Sequence, residues 1–214
     1  MTRAILLDFE TRPDPAIMDS PEYWAWYRDR LSPDGRLKDP VKIAEDLTRK
    51  EDEHRKEFAL KPYLGLIVCV GIMAYEDEAP TVLCADAATR QCEAQVLRQL
   101  QGFLQGVGGQ PTVLGWNIKR FDLPFVIGRS LVQGIPVDLP KPRDYRRVFD
   151  LKDDTGLEGS LSVWQFAMGG GFKEVEGEDL LALPLPDLAE HCRQDMLATL
   201  SLAQRTEHLW GGRS

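Results

Sequence analysis

The chain lacks any run of about eighteen apolar residues, so no helical membrane span is expected. Its first residues enter a strand-like run directly, without the zones of a secretory signal. Only four cysteines occur, Cys69, Cys84, Cys92 and Cys192, and no two have metal-ligand spacing. The expectation is therefore reduced thiols in a cytoplasmic protein. Histidine is scarce too, and no nucleophile motif accompanies it, so serine and cysteine hydrolase chemistry has nothing to stand on. The glycines at 169–171 have no phosphate-loop spacing and read as a connector. Positive charge is in short supply. With 26 Lys and Arg against 34 Asp and Glu the net charge is −8, which argues against broad, non-specific wrapping of nucleic acid. It does not exclude a cleft that grips a strand end. No repeat or low-complexity tract is present, and 214 residues suit one domain with a sizeable insertion.

What is present begins at the N-terminus. Ala4-Ile5-Leu6-Leu7 is a short apolar run of the kind that forms a buried strand, and Asp8-Phe9-Glu10-Thr11 continues it. Residues two apart on a strand share a face, so Asp8 and Glu10 project together while Leu7 and Phe9 point the other way. Two neighbouring carboxylates repel each other and are costly to desolvate. Solvent relieves that cost, and so does a hard cation such as Mg²⁺ or Mn²⁺. The pair gains force only if later segments supply more acids.

Residues 11 to about 62 read as an excursion from the first strand. Tyr23, Trp24, Trp26 and Tyr27 cluster beside Arg28, a composition that suits a small core or base stacking, with the core favoured. Val41 through Phe58 reads as a solvated helix opened by Asp39-Pro40, with His54 a surface histidine. Leu64 to Tyr75 and Thr81 to Cys84 read as a hairpin turned by Glu76-Asp77-Glu78. Val96, Leu97, Leu100, Phe103 and Leu104 have helical spacing between Ala88 and Gln105. A buried strand begins at Pro111 and leads to Trp116-Asn117-Ile118-Lys119-Arg120-Phe121-Asp122-Leu123-Pro124. Pro124 suits the first turn of a helix, so Asp122 falls near a helix N-terminus, where a cap alone would explain it. Val148 to Leu151 reads as the last strand, Leu161 to Met168 as a helix, and Leu188 to Leu209 as the final helix. On that helix Leu188, Cys192, Met196, Leu200 and Ala203 form the buried stripe, and His191 and Asp195, four apart, share a face beside it.

Together these segments resemble the DEDD superfamily of 3′–5′ exonucleases, nearest to the proofreading domains of family-B DNA polymerases and their stand-alone phage and bacterial relatives. The Asp-x-Glu of that family's first motif is matched by Asp8 and Glu10. Its second motif, Asn followed by Phe-Asp, is matched by Asn117 and Phe121-Asp122. Its third, an aromatic or histidine ahead of Asp on a helix, is matched by His191 and Asp195. Asp39 to Ala44 and Leu60 to Gly65 look like the insertion of the phage-type members. The resemblance implies an α/β, ribonuclease H-like fold, a mixed five-stranded sheet flanked by helices, with the insertion at about 12–63. One departure stands out. In the polymerase-like branch a Tyr precedes the last Asp by four, and in the other branch a His precedes it by five. This chain has His191 at the tyrosine spacing. One residue turns a helix position by about 100°, so His191 should point where the tyrosine does.

The resemblance also implies a mechanism. Two divalent cations, Mg²⁺ or Mn²⁺, about 3.5–4 Å apart would be held by Asp8, Glu10, Asp122 and Asp195. His191 would orient or deprotonate the attacking water, and Thr11, Asn117 and Phe121 would place the terminal nucleotide of a single-stranded DNA 3′ end. Asp150 is a looser candidate that a capping or turn role would also explain. Lys119, Arg120, Arg143, Arg146 and Arg147 are candidate phosphate contacts that a solvated face explains nearly as well. Two alternatives share the fold: an exoribonuclease, and a binding module with an impaired site.

Overall fold

Five strands form one mixed sheet: β1 (Ala4–Pro13), β2 (Gly65–Ala74), β3 (Thr81–Cys84), β4 (Thr112–Gly115) and β5 (Val148–Asp150). The computed structural model describes residues 4–170 and 177–211, without the side chains of 177–179, so of the glycine connector at 169–171 the last residue lies outside the described set. Strand order is β3-β2-β1-β4-β5. The pairs β1–β2 and β2–β3 are antiparallel, and β1–β4 and β4–β5 are parallel. This is the ribonuclease H-like arrangement, with β1 central because its apolar residues are buried on both faces.

Helices cover the sheet. Between β1 and β2 lie α1 (Pro15–Met18), α2 (Pro21–Arg28) and α3 (Pro40–Lys56). Each starts with Pro at its first position behind a side-chain cap, from Asp14, Ser20 and Asp39 respectively. Then α4 (Arg90–Val107) follows β3, α5 (Asp122–Gln133) follows β4, and α6 (Leu161–Ala167), α7 (Leu185–Arg205) and α8 (Glu207–Trp210) follow β5. The alternation of β1 separates two cores. Ile5, Leu7 and Phe9 pack with Val96, Leu97 and Leu100 of α4 and Leu123 and Val126 of α5. Ala4 and Leu6 pack in the other layer with Met196 and Leu202 of α7 and Trp210 of α8.

A buried ion pair ties the first layer together. The register of β1 on β2 slips between Glu10 and Thr11, which face Cys69 and Ile67, so β2 carries one extra residue there, Val68. Such a bulge removes a ladder hydrogen bond. The Ile67 N–H is instead taken by Glu93 Oε1 of α4 at 2.8 Å. Arg129 of α5 grips the same carboxylate at 2.8 and 2.6 Å and also donates to the Pro62 carbonyl at 2.9 Å, and Gln133 donates to Glu93 as well. Both charged side chains are fully buried. Removing one partner would strand the other charge.

The excursion has its own small core of Trp24, Phe58 and Leu64. The core reading of its aromatics holds, but His54 is not a surface histidine. Its ring stacks on Tyr27 at 4.0 Å between centroids, and its Nε2 lies 2.7 Å from the Tyr23 hydroxyl. Helical spacing alone hid this, because the partner aromatics come from a different helix. A second correction concerns the thiols. Cys69 and Cys84 are register partners on β2 and β3, with Cα atoms 4.2 Å apart, and they form a disulfide. Two scattered cysteines meet because the hairpin register opposes them. Cys92 and Cys192 are free. Among the described residues no helix is long and apolar enough to cross a membrane.

Two outcomes are expected. Arg129→Leu should lower stability by ~3–5 kcal/mol in urea titration, because it leaves the Glu93 carboxylate buried and unpaired by charge. Burial holds the His54 imidazole below its ordinary pKa, so the folded state favours the neutral ring. The unfolded chain takes up the extra proton first as pH falls through about 6.5. Stability from this residue is therefore present above that pH and is lost as pH falls towards the folded value. Urea midpoints measured from pH 7.5 to 5.5 should fall more steeply in the native protein than in His54→Gln.

Candidate active site

Asp8 and Glu10 prolong the row of Ala4 and Leu6 on β1, which is the face that α7 covers. How closely α7 can lie there is set by Gly71, the β2 register partner of Asp8. A Cβ on Gly71 would come within 2.5 Å of Met196 Cγ and 2.9 Å of Cys192 Sγ. With no side chain at 71, α7 seats directly over the acids. His191 and Asp195, one helical turn apart on α7, then face β1. His191 Nε2 lies 3.8 Å from Glu10 Oε1 and 3.6 Å from Asp195 Oδ2. Donor atoms of Glu10, His191 and Asp195 all fall within 4.8 Å of one another.

Asp122 enters from α5, beneath the loop that follows β4. It is buried, and the Phe9 backbone N–H hydrogen-bonds its carboxylate. Burial pushes its pKa well above the ordinary carboxylate value, and the charges of Asp8 and then Asp150 add to the effect. The loop itself is organised by Asp150, at the end of β5. That carboxylate accepts the backbone N–H groups of Asn117, Lys119, Lys152 and Asp153 at 2.9–3.2 Å. Held this way, Asn117 adopts φ 60°, a left-handed conformation that Asn tolerates better than most residues. Asp150 is thus a loop organiser, in line with its capping or turn role.

One cavity of about 430 Å³ gathers Asp8, Glu10, Asn117, Phe121, Asp122, His191 and Asp195. The Phe121 ring is braced by Phe125, with centroids 5.5 Å apart. Thr11 is not among the lining residues. Its hydroxyl donates to the Ala59 carbonyl at 2.6 Å and so faces the excursion. Lys119 and Arg120 are committed to Asp154 and Asp153, at 2.6 and 2.9 Å. Arg143 lies at a neighbouring cavity, Arg146 is exposed and Arg147 is half-buried.

The cavity also uses residues that carry no motif or spacing signal. Trp116 and Lys152 line it, with Lys152 Nζ 5.8 Å from the Trp116 ring centroid, and Leu180 closes part of its wall. Leu180 is held from below by Arg12 of β1, whose guanidinium donates to the carbonyls of Leu180 and Leu183 at 2.5 and 2.6 Å. The buried Cys192 thiol hydrogen-bonds Asp8, and burial together with the charges of Asp8 and Glu10 raises its pKa well above the ordinary value, which keeps the proton on sulfur. Strand-end lysines and a strand arginine carry no local signal. Cys192 sits between His191 and Asp195, but helical spacing assigns it only to the buried stripe.

The donor set is mostly carboxylate oxygen with one imidazole nitrogen, which suits Mg²⁺ or Mn²⁺ over softer metals. Crowded like charges raise one another's affinity for protons, as at Asp122, and a positive partner relieves them. A divalent cation would provide the same compensation. The residues fit such an ion.

No family model matches the chain, and no curated protein does. Solved structures do match. Among them is the family B DNA polymerase from the hyperthermophilic archaeon Pyrobaculum calidifontis, with a TM-score of 0.59 at 15% identity over 96% of this chain and 24% of that polymerase. The chain therefore spans about a quarter of its neighbour's length, and the likeness is one of fold.

Gly71→Ala should displace α7 and cost about 1–3 kcal/mol from overpacking, read as a lower urea midpoint. In a double-mutant cycle Gly71→Ala should cost less in a Met196→Ala background than in the native protein, because Met196 supplies the nearest clashing atoms.

Proposed function

We propose that this chain is a metal-dependent 3′–5′ exonuclease acting on single-stranded DNA. The observation that carries the reading is the convergence of four carboxylates and one imidazole, from three separated stretches of sequence, on a single cavity. The fold likeness to a DNA polymerase supports a nucleic-acid substrate.

Asp8, Glu10, Asp122 and Asp195 would hold two divalent cations, Mg²⁺ or Mn²⁺. Bound there, the ions would ease deprotonation of a water and offset charge on the leaving oxygen. The rest falls to the chain. Phe121 packs against the terminal nucleotide and the Asn117 amide hydrogen-bonds it, which fixes the last phosphodiester over the acids. His191 Nε2 accepts the proton of the attacking water. The imidazolium that forms is stabilised by Glu10 and Asp195, whose carboxylates both lie within 4 Å of that nitrogen. Attack at phosphorus breaks the bond to the 3′ oxygen of the preceding nucleotide. A 5′-mononucleotide leaves, and the shortened strand keeps a 3′ hydroxyl that takes its proton from solvent. Lys152, at the edge of the cavity, offers positive charge to the phosphate.

A 5′-labelled single-stranded DNA oligonucleotide incubated with Mg²⁺ or Mn²⁺ should yield a ladder shortening from the 3′ end. EDTA or Asp8→Ala should abolish the ladder, and a matched RNA strand tests the sugar. Absence of a ladder on either strand would favour the binding-module alternative. His191→Ala should slow cleavage by about 10²–10⁴-fold while Mn²⁺ affinity, measured by calorimetry, stays within about twofold. Equal loss of both would overturn a role in proton transfer.

A further inference from the structure

Another cavity, larger than the one that holds the acids, lies beside it. It measures about 730 Å³ and lies across the 117–122 and 152–154 segments from the acidic site. The two cavities share walls: Asn117, Phe121, Asp122 and Lys152 face the acidic one, whereas Lys119, Pro124, Asp153 and Asp154 face the larger. Nothing in the exonuclease chemistry uses it.

Its lining has three parts. The first is apolar, from Pro124, Ile127 and Pro142. The second is an aromatic face, Tyr145, which is 65% exposed although it belongs to a segment leading into a buried strand. The Lys119 ammonium sits 5.0 Å from that ring's centroid, which steadies the ring through a cation–π contact. The third part is charge. The two acids of the cavity, Asp153 and Asp154, are each held in an ion pair, with Arg120 and Lys119. Lys141 and Arg143 are both exposed, and among the described residues neither forms an ion pair. The acids are thus answered locally, and the rim carries surplus positive charge on a chain whose net charge is −8.

We infer that this cavity is a nucleotide subsite, taking a base against Tyr145 and a phosphate on Lys141 and Arg143. Aromatic faces beside cations are the chemistry that holds single-stranded nucleic acid, with stacking indifferent to sequence and phosphate contacts sensitive to salt. An acidic reaction site repels the strand it must cut, so a neighbouring cationic subsite offsets that repulsion. The assignment rests on the exonuclease reading for its biological sense but not for its test. The same chemistry fits an upstream nucleotide of the strand or a free mononucleotide product, and the experiment separates the two.

Binding of 5′-fluorescein-dT12 is measured by anisotropy in EDTA across a range of NaCl concentrations, and dTMP binding by ¹H–¹⁵N chemical-shift titration. Native protein is compared with Tyr145→Ala and with Lys141→Ala/Arg143→Ala, all changes at exposed positions, with thermal unfolding as a check on folding. Tyr145→Ala should weaken dT12 about tenfold without changing the salt slope. The double variant should reduce the slope of log K against log salt by about 1.4, for two single-strand phosphate contacts. Loss of dTMP binding with dT12 unaffected would assign the subsite to free nucleotide. Variants that bind both ligands as the native protein does would overturn the subsite, whatever the cleavage assay shows. A native protein that fails to cut DNA, with dTMP binding still dependent on Tyr145, would sink the nuclease reading and leave the subsite standing.

Discussion

The Glu93–Arg129 pair is the constraint on which much of the fold rests. A bulge on β2 leaves the Ile67 N–H outside the ladder beside the strand that carries Asp8 and Glu10. An orphan donor in a dry core is costly. The Glu93 carboxylate answers it but brings a buried charge, and Arg129 answers the charge while holding the Pro62 carbonyl at the end of the excursion. One set of hydrogen bonds thus fixes two helices, the bulge and the return of the chain to the sheet. Each member is tolerable only because the others are present.

The acidic site follows a different rule. Its carboxylates are crowded, and the crowding favours protons at two groups: Asp122 is pushed up, and Cys192 stays a thiol that donates to Asp8. Asp150 shows the contrast. It is equally buried, yet four backbone N–H groups satisfy it, and it serves the loop. Burial alone does not set the character of an acid; what surrounds the carboxylate does.

Much of this was legible in the sequence. The alternation through Ala4–Glu10 gave the central strand and the face of its acids, and helical spacing put His191 and Asp195 on one side of α7. What could not be read was whatever depends on two distant segments meeting. The Cys69–Cys84 bond needs the hairpin register. His54 looked solvent-facing on its own helix because Tyr23 and Tyr27 come from another. Nothing in the helical spacing of 88–105 singles out Glu93, and Thr11, expected to place a nucleotide, turns its hydroxyl to Ala59. Gly71 was one glycine in a β-rich run, and its importance lies wholly in the side chains opposite.

The pairing of Pro13 with Gly65 has a topological consequence. The excursion leaves and re-enters the sheet at adjacent points of one antiparallel ladder, so in connectivity it is the loop of a single hairpin, however many helices it carries. Closing such a loop costs only about 0.6 kcal/mol more for each doubling of its length. The length of its outer part can therefore change at little entropic cost while every strand keeps its neighbour, provided the returning segment at Pro62 keeps its hold on Arg129.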